Sequence, residues 1–320
     1  MPENVIWTGN NISGTQFSSL IQVLSQQTTA RIATNVRSET MSKAQEIYFH
    51  QLAPDSEPVK KTERYGLTPY NEADLRRRRL IPDEWQKGTR FDIHDLARYT
   101  TVDPQNDILK NQLASLNRKK DSLLIDAAFG SAWTGEKGTI EVPFKDETVS
   151  INGDGSATTQ GTLAVDGTLT AITLAKMALM LELFNNDNVD PVIPKYWCMS
   201  PKDVADLLQI ATMTSKDYVE SVNAVQSGKI EYRVGFNLFW LAPIEAENGI
   251  LPKTTTGGLC RRNLVWAKDG LIICYLSDVS TTVDRLPEHQ NNIQIFSRMD
   301  LGALRFEGKK VRECLNKIAA

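Results

Sequence analysis

With 320 residues the chain has length for about two domains and a core of ordinary size. Apolar residues make up 41%, within reach of the globular range and far from the composition of a disordered chain. Its 36 Lys and Arg against 39 Asp and Glu leave a formal charge of -3, which excludes a chain-wide basic field that could hold nucleic acid by counterion release. The most apolar run, Leu271 to Leu276, is far shorter than the roughly 20 residues of a bilayer span, so no membrane is expected. Residues 1–10 carry neither a basic nor an apolar leader pattern, and a reducing, cytoplasmic setting is the expectation. Cys198, Cys260, Cys274 and Cys314 are too widely spaced for a zinc ribbon or redox pair and read as packed thiols.

In chain order, residues 1 to about 30 are rich in Ser, Thr, Asn and Gln, with Phe17, Leu20, Ile21 and Leu24 at the spacing of one short amphipathic helix, and suggest an arm. From Gln51 to Arg98, Pro54, Pro58, Pro69 and Pro82 exclude long helices and charges are dense, so an extended hairpin is predicted. Phe91 and Ile93 alternate with Asp92 and His94 as in a strand with one wet face. Asp103-Pro104 is a favoured helix start and Gly130 a favoured stop. Between them Leu109, Leu113, Leu116, Leu123 and Ala127 keep helical spacing, with Lys120 in the missing place, which predicts one long helix of roughly 40 Å.

Residues 131–169 read as a Gly-rich loop or small β insertion that includes a strand at Ile140 to Phe144. A helix at about 170–184 follows, then a strand at Tyr196 to Met199. Ser200-Pro201-Lys202-Asp203 has the spacing of a capping box and opens a further helix in what reads as a separate α/β domain. Asp269-Gly270, between the apolar runs of Leu264 to Leu276, predicts a tight hairpin turn, and Ile293 to Ser297 and Ala303 to Phe306 predict two closing strands.

Catalytic signals are sparse. In Gly130 to Lys137 the Lys does not follow the second Gly and Glu136 intervenes, so the phosphate-loop pattern fails. Gly153-Asp154-Gly155 lacks the third glycine and the helix of a dinucleotide site and reads as a turn. Asp92 and His94 would share a strand face, but a third group is missing, so a solvated face is preferred to a catalytic or metal site. The strongest charge feature is Arg76-Arg77-Arg78-Arg79, which with Lys60, Lys61 and Arg64 against Glu63, Glu72 and Asp74 gives residues 59–79 a net charge of +4. Pairing of these guanidiniums with carboxylates of a neighbouring subunit is favoured over a solvated charged face, and nucleic-acid contact comes last because no aromatic interleaving supports base stacking.

The order of parts resembles the α+β major capsid protein fold of tailed bacteriophages and herpesviruses. The resemblance rests on Leu96 to Pro104 leading into the long helix with Arg118 to Asp126, on Lys195 to Pro201, on Asp217-Tyr218-Val219 with Gly228 to Ile230 and Val234 to Phe236, and on Ile293 to Phe306. It implies an arm at 1–50, an extended loop at 51–98, a peripheral domain at 99–190 with a spine helix at 104–129, an axial domain at 191–276 and strands at 277–320 that return to the peripheral domain. It also implies hexamers and pentamers closing an icosahedral shell around double-stranded DNA, touched weakly and without sequence preference, with a portal and a possible decoration protein as further partners and a place in the virion. The family's cleaved scaffolding extension has no counterpart before the arm, which together with Met1 suggests a separate scaffold protein. No covalent crosslink, cofactor or metal is expected. The alternatives are an encapsulin-like compartment shell and, in a different class, a soluble enzyme with its site near Asp92 and His94.

Overall fold

A computed structural model describes residues 25–55, 57–68, 70–92, 105–158, 170–210, 232–241, 253–254 and 260–317. The strands and helices in chain order are β1 (Arg37–Thr40), β2 (Ile47–Leu52), β3 (Leu75–Leu80), β4 (Asp83–Phe91), α1 (Gln105–Phe129), β5 (Ala132–Thr134), β6 (Ile140–Val142), α2 (Phe144–Glu147), β7 (Ser150–Ile151), β8 (Ala157–Thr158), α3 (Leu174–Asn186), β9 (Lys195–Met199), α4 (Pro201–Gln209), β10 (Tyr232–Arg233), β11 (Phe236–Trp240), β12 (Lys253–Thr254), β13 (Cys260–Ala267), β14 (Leu271–Leu286), β15 (Asn292–Arg305) and β16 (Val311–Lys317). The α+β class expected from the sequence is the one observed.

Three sheets divide the strands. The largest runs β10-β11-β9-β13-β16-β7-β8, with β12 also on β13; a second is β1-β14-β15-β4; a third is β2-β3-β5-β6. Along the central strands of the first sheet the period of two feeds two cores. Trp197, Met199, Val265 and Ala267 face α3 and α4, where Met177, Met180, Phe184 and Leu207 cover them. Cys198, Leu264 and Trp266 point the other way, into a cluster with Leu116, Leu124 and Ile125 of α1 and with Ile273, Met299 and Leu301 of β14 and β15. The cysteines at 198, 274 and 314 are buried free thiols, as their neighbours suggested, and burial pushes that of Cys314 up to about 12. The side chain of Cys260 lies outside the described residues.

Local signals fixed several boundaries. Ser200 accepts from the Asp203 amide while the Asp203 carboxylate accepts from the Ser200 amide, the reciprocal cap expected there, and Pro201 occupies the first turn of α4. The long helix spans 25 described residues, about 37 Å, and its last carbonyls meet Gly130. Its covering differs from the expected stripe. Leu116, Leu124, Ile125 and Ala128 are buried together with the polar Gln112 and Asp121, while Leu109, Leu113, Leu123 and Ala127 are half-covered. The buried band is rotated because polar side chains on its flank bind other segments. Lys120 is buried as the stripe required, its ammonium 5.2 Å from the Tyr275 ring and 3.5 Å from Asp278.

Three other expectations are corrected. Asp269-Gly270 does not close a hairpin: β13 pairs with β9, β12 and β16 and β14 with β1 and β15, so the turn at Lys268–Gly270 carries the chain from one sheet to another. The two closing strands are one, β15, paired with β14 through two bulges and with β4 over nine residues. The hairpin expected over 51–98 consists of β2 and β3 in register from Ile47↔Leu80 to Leu52↔Leu75, whereas β4 leaves it for β15. The sheet of the α/β segment continues through β16 into β7 and β8, which give its central strands partners on both edges. The helix expected near Phe17 and the segments at 217–219 and 228–230 lie outside the described residues.

Candidate assembly surface

On β3 the strand period sorts the arginine run. Leu80 faces inward and joins Ile47, Phe49, Ile272, Cys274 and Leu304 in an apolar seat. Arg78, on the same face, is 6% exposed and pairs with Glu147. On the other face Arg79 grips Glu46 at 2.5 Å, and the Arg77 guanidinium stands 5.8 Å over the Tyr48 ring. Arg76, at the open end, is exposed and holds Asp74 at 2.7 Å. Donation from Arg79, then from the Tyr48 hydroxyl, holds the Glu46 carboxyl below its ordinary value, and the same carboxylate raises Tyr48. Three of the four arginines thus face solvent in part, and one is committed inside the chain.

Beyond Leu52 the chain makes a long excursion before β3, and it leaves apolar groups in water. Leu67 is 101% exposed, Tyr65 and Tyr70 are 89%, Val59 is 75%, Leu75 is 71% and Leu52 is 68%. Scattered single apolar side chains are common on surfaces, but six large ones in 24 residues, beside Lys60, Lys61 and Arg64, make a surface suited to covering by another molecule.

Residues 26–33 are tied to α1 by side chains. Asp121 of α1 is buried and accepts from the Gln27 amide at 2.6 Å and from the backbone N–H groups of Arg31, Ile32 and Ala33 at 2.8, 2.9 and 3.2 Å. Asn117 donates to the Thr28 carbonyl and Arg118 to the Gln26 side chain. Arg31 donates to the Trp240 carbonyl at 2.6 Å with its guanidinium 4.1 Å from the ring. Burial pushes the Asp121 carboxyl up, against the pull of its donors.

Sequence reasoning missed the buried Asp121 and Arg305, the latter 1% exposed, and the half-buried Glu147 that pairs with Arg305. The available signal was a charge set in an apolar frame, as in Ala303-Leu304-Arg305-Phe306. Of the catalytic alternative, Asp92 follows β4 and His94 lies outside the described residues. Among the described residues no group of His, Cys, Asp or Glu is placed to hold a metal ion, and no helix is long and apolar enough to cross a membrane.

The Phage capsid protein family model matches residues 10–317. The chain belongs to that family. Solved structures carry the same fold at low identity. This capsid protein is similar to the capsid of Ralstonia phage GP4 (13% identity, TM-score 0.68, 100% of this chain and 99% of that one). It is likewise similar to the head of Helicobacter pylori bacteriophage KHP40 (9%, 0.70, 97% and 98%) and to the capsid of cyanophage P-SCSP1u (14%, 0.66, 96% and 94%). Among curated proteins none matches its sequence. The tailed-phage capsid fold expected from the sequence is therefore the fold of this chain, and the protein is a structural component of the phage virion.

Proposed function

We propose that this capsid protein is the repeating subunit of an icosahedral shell, grouped as hexamers and pentamers around double-stranded DNA, and that it performs no chemistry of its own. The observation that carries the reading is the apolar excursion between Leu52 and Leu75, with six large side chains 68–101% exposed: such a segment is unfavourable in water and favourable once neighbouring copies cover it. Within the subunit we read 1–50 as the arm, 51–98 as the extended loop, 99–190 as the peripheral domain, 191–276 as the axial domain and 277–320 as strands returning to the peripheral domain. Arg76 to Arg79 serve the subunit contacts, Arg76, Arg77 and Arg79 directly and Arg78 by seating the strand that presents them. A separate scaffold protein, a portal and a decoration protein complete the assembly, and contact with the packaged DNA is weak because the chain carries a charge of only -3.

Electron microscopy of the purified protein, alone and with its scaffold, tests the reading. Closed particles containing DNA are expected from infected cells. Particles filled with protein cargo would select a compartment shell, and a monomer at all concentrations would overturn the proposal. The double substitution Arg76→Ser with Arg77→Ser should lower the yield of closed particles and leave subunit unfolding nearly unchanged; parental yields would remove these residues from the contacts.

A further inference from the structure

Where β13 and β16 run side by side, Arg261 stands opposite Asn316 and Asn263 opposite Cys314. Alternation puts these four on the face that Val265 and Ala267 turn toward α3 and α4. Asn263 and Asn316 are both 0% exposed, polar side chains at the end of an otherwise apolar core. The chemistry of their neighbours fixes which way each amide points. The Lys176 ammonium of α3 donates to the carbonyls of Gly153, Thr170 and Leu315 at 3.1, 3.0 and 2.9 Å and to Asn316 Oδ1 at 3.4 Å, so the oxygen of Asn316 faces the cation. On the other side the Asp203 carboxylate of α4 accepts from Asn263 Nδ2 at 2.9 Å, besides the amide and hydroxyl of Ser200 at 3.1 and 2.7 Å, so the nitrogen of Asn263 faces the anion.

The Cys314 thiol lies between the two charges. It donates to Asn316 Oδ1 at 3.7 Å, and while burial raises its value, Lys176 draws it down and Asp203 raises it further. Three atoms of this block are left over. Asn316 Nδ2 and Arg261 Nε are buried donors and Asn263 Oδ1 is a buried acceptor, none with a partner among the described residues. Such groups are costly when left unmet. Two donors and one acceptor are the complement of one water molecule, and buried waters typically make about three bonds to groups that are otherwise unsatisfied. Asn263 and Asn316 are diagonal neighbours across the strand pair, about 7–8 Å apart, so their amides reach one shared molecule from two sides.

We propose that a single buried water is bound in this block, accepting from Asn316 Nδ2 and Arg261 Nε and donating to Asn263 Oδ1. It closes a relay that runs from the Lys176 ammonium through the Asn316 amide, the water and the Asn263 amide to the Asp203 carboxylate. Every link donates in the same direction, so the buried cation of α3 and the buried anion of α4 are joined across the sheet, and both helices are held in one register on β13 and β16. The Asn263 oxygen opposes an anion at this place, and the two donors oppose a cation.

Two measurements on the full chain test this. A structure of the purified protein at a resolution that shows ordered solvent should hold one peak about 2.7–3.2 Å from all three atoms. No peak there, or Asn316 Nδ2 bonded directly to Asn263 Oδ1, overturns the proposal. In denaturant unfolding, Asn263→Leu and Asn316→Leu each break the relay, so the second substitution costs less once the first is made. The unfolding constant of the double variant should therefore fall short of the product of the two single effects by about threefold or more. Single effects that multiply to within about twofold would show that the amides act independently, and the proposal would fail. Should a variant not fold, the solvent peak decides alone.

Discussion

Asp121 concentrates on one carboxylate the attachment of a whole segment. Gln27 and the amides of Arg31, Ile32 and Ala33 converge on it, two donors on each oxygen. Substitution Asp121→Asn replaces one acceptor oxygen by an amide whose hydrogens would face the donors of Gln27 and Arg31, so a loss of about 1–3 kcal/mol is expected in denaturant unfolding. The pH dependence has a defined sign. Because burial raises the folded-state value above the ordinary 3.8, the folded chain binds the proton more tightly than the unfolded one, and stability falls as pH rises from 3.8 to the raised value. Asp121→Asn should remove that fall; an unchanged slope in parent and variant would separate Asp121 from it. None of this was legible in the sequence, where Asp121 sits among Arg118, Lys119 and Lys120 as part of an ordinary charged face. What made it important is a partner about 90 residues away.

At the scale of elements, the long helix is held at its far end by β15, a strand from late in the chain. Arg305 satisfies the carbonyls of Ala128 and Gly130 and lies 5.4 Å over the Phe144 ring. Arg305→Met should destabilise the subunit by about 3–5 kcal/mol, since it exposes the helix end to unmet hydrogen bonding and deprives Glu147 of its second cation. Calorimetry of the isolated subunit measures the loss, and a change below about 1 kcal/mol would show that water or Arg78 replaces the cap. Elements with signals inside their own span were readable: the capping box at Ser200 and Asp203 and the Gly130 stop of α1. Elements defined by remote pairing were not. Leu264 to Leu276 looks like a hairpin because it is two apolar runs with a turn between, and only the arrival of β16 beside β13 and β15 beside β14 decides that the runs part. Local pattern encodes a strand and its faces; partner choice is encoded in complementarity across hundreds of residues.

For the whole molecule, the apolar excursion separates the requirements of folding from those of assembly. Tyr65, Leu67 and Tyr70 are 89–101% exposed, so replacing all three by Ser should shift subunit stability by no more than about 0.5 kcal/mol per site while sharply reducing closed particles in electron micrographs. A large loss of subunit stability would mean that these side chains serve the fold of their own chain. At this scale the sequence was most informative. The order of a polar arm, a proline-broken charged stretch, a signed long helix and late strands carried the resemblance to the capsid family that the match over residues 10–317 bears out. The loop's proline and charge pattern announced that it would not pack inward, but not which side chains would stay uncovered.

The strand β16 has a bearing on how a subunit is made. Six of its seven residues are buried, and it lies between β13 and β7 in the middle of the largest sheet. A chain cut before Val311 would leave β13 and β7 as two unpaired β edges and Asp187 without Arg312, so the largest sheet closes only when the last described strand is in place.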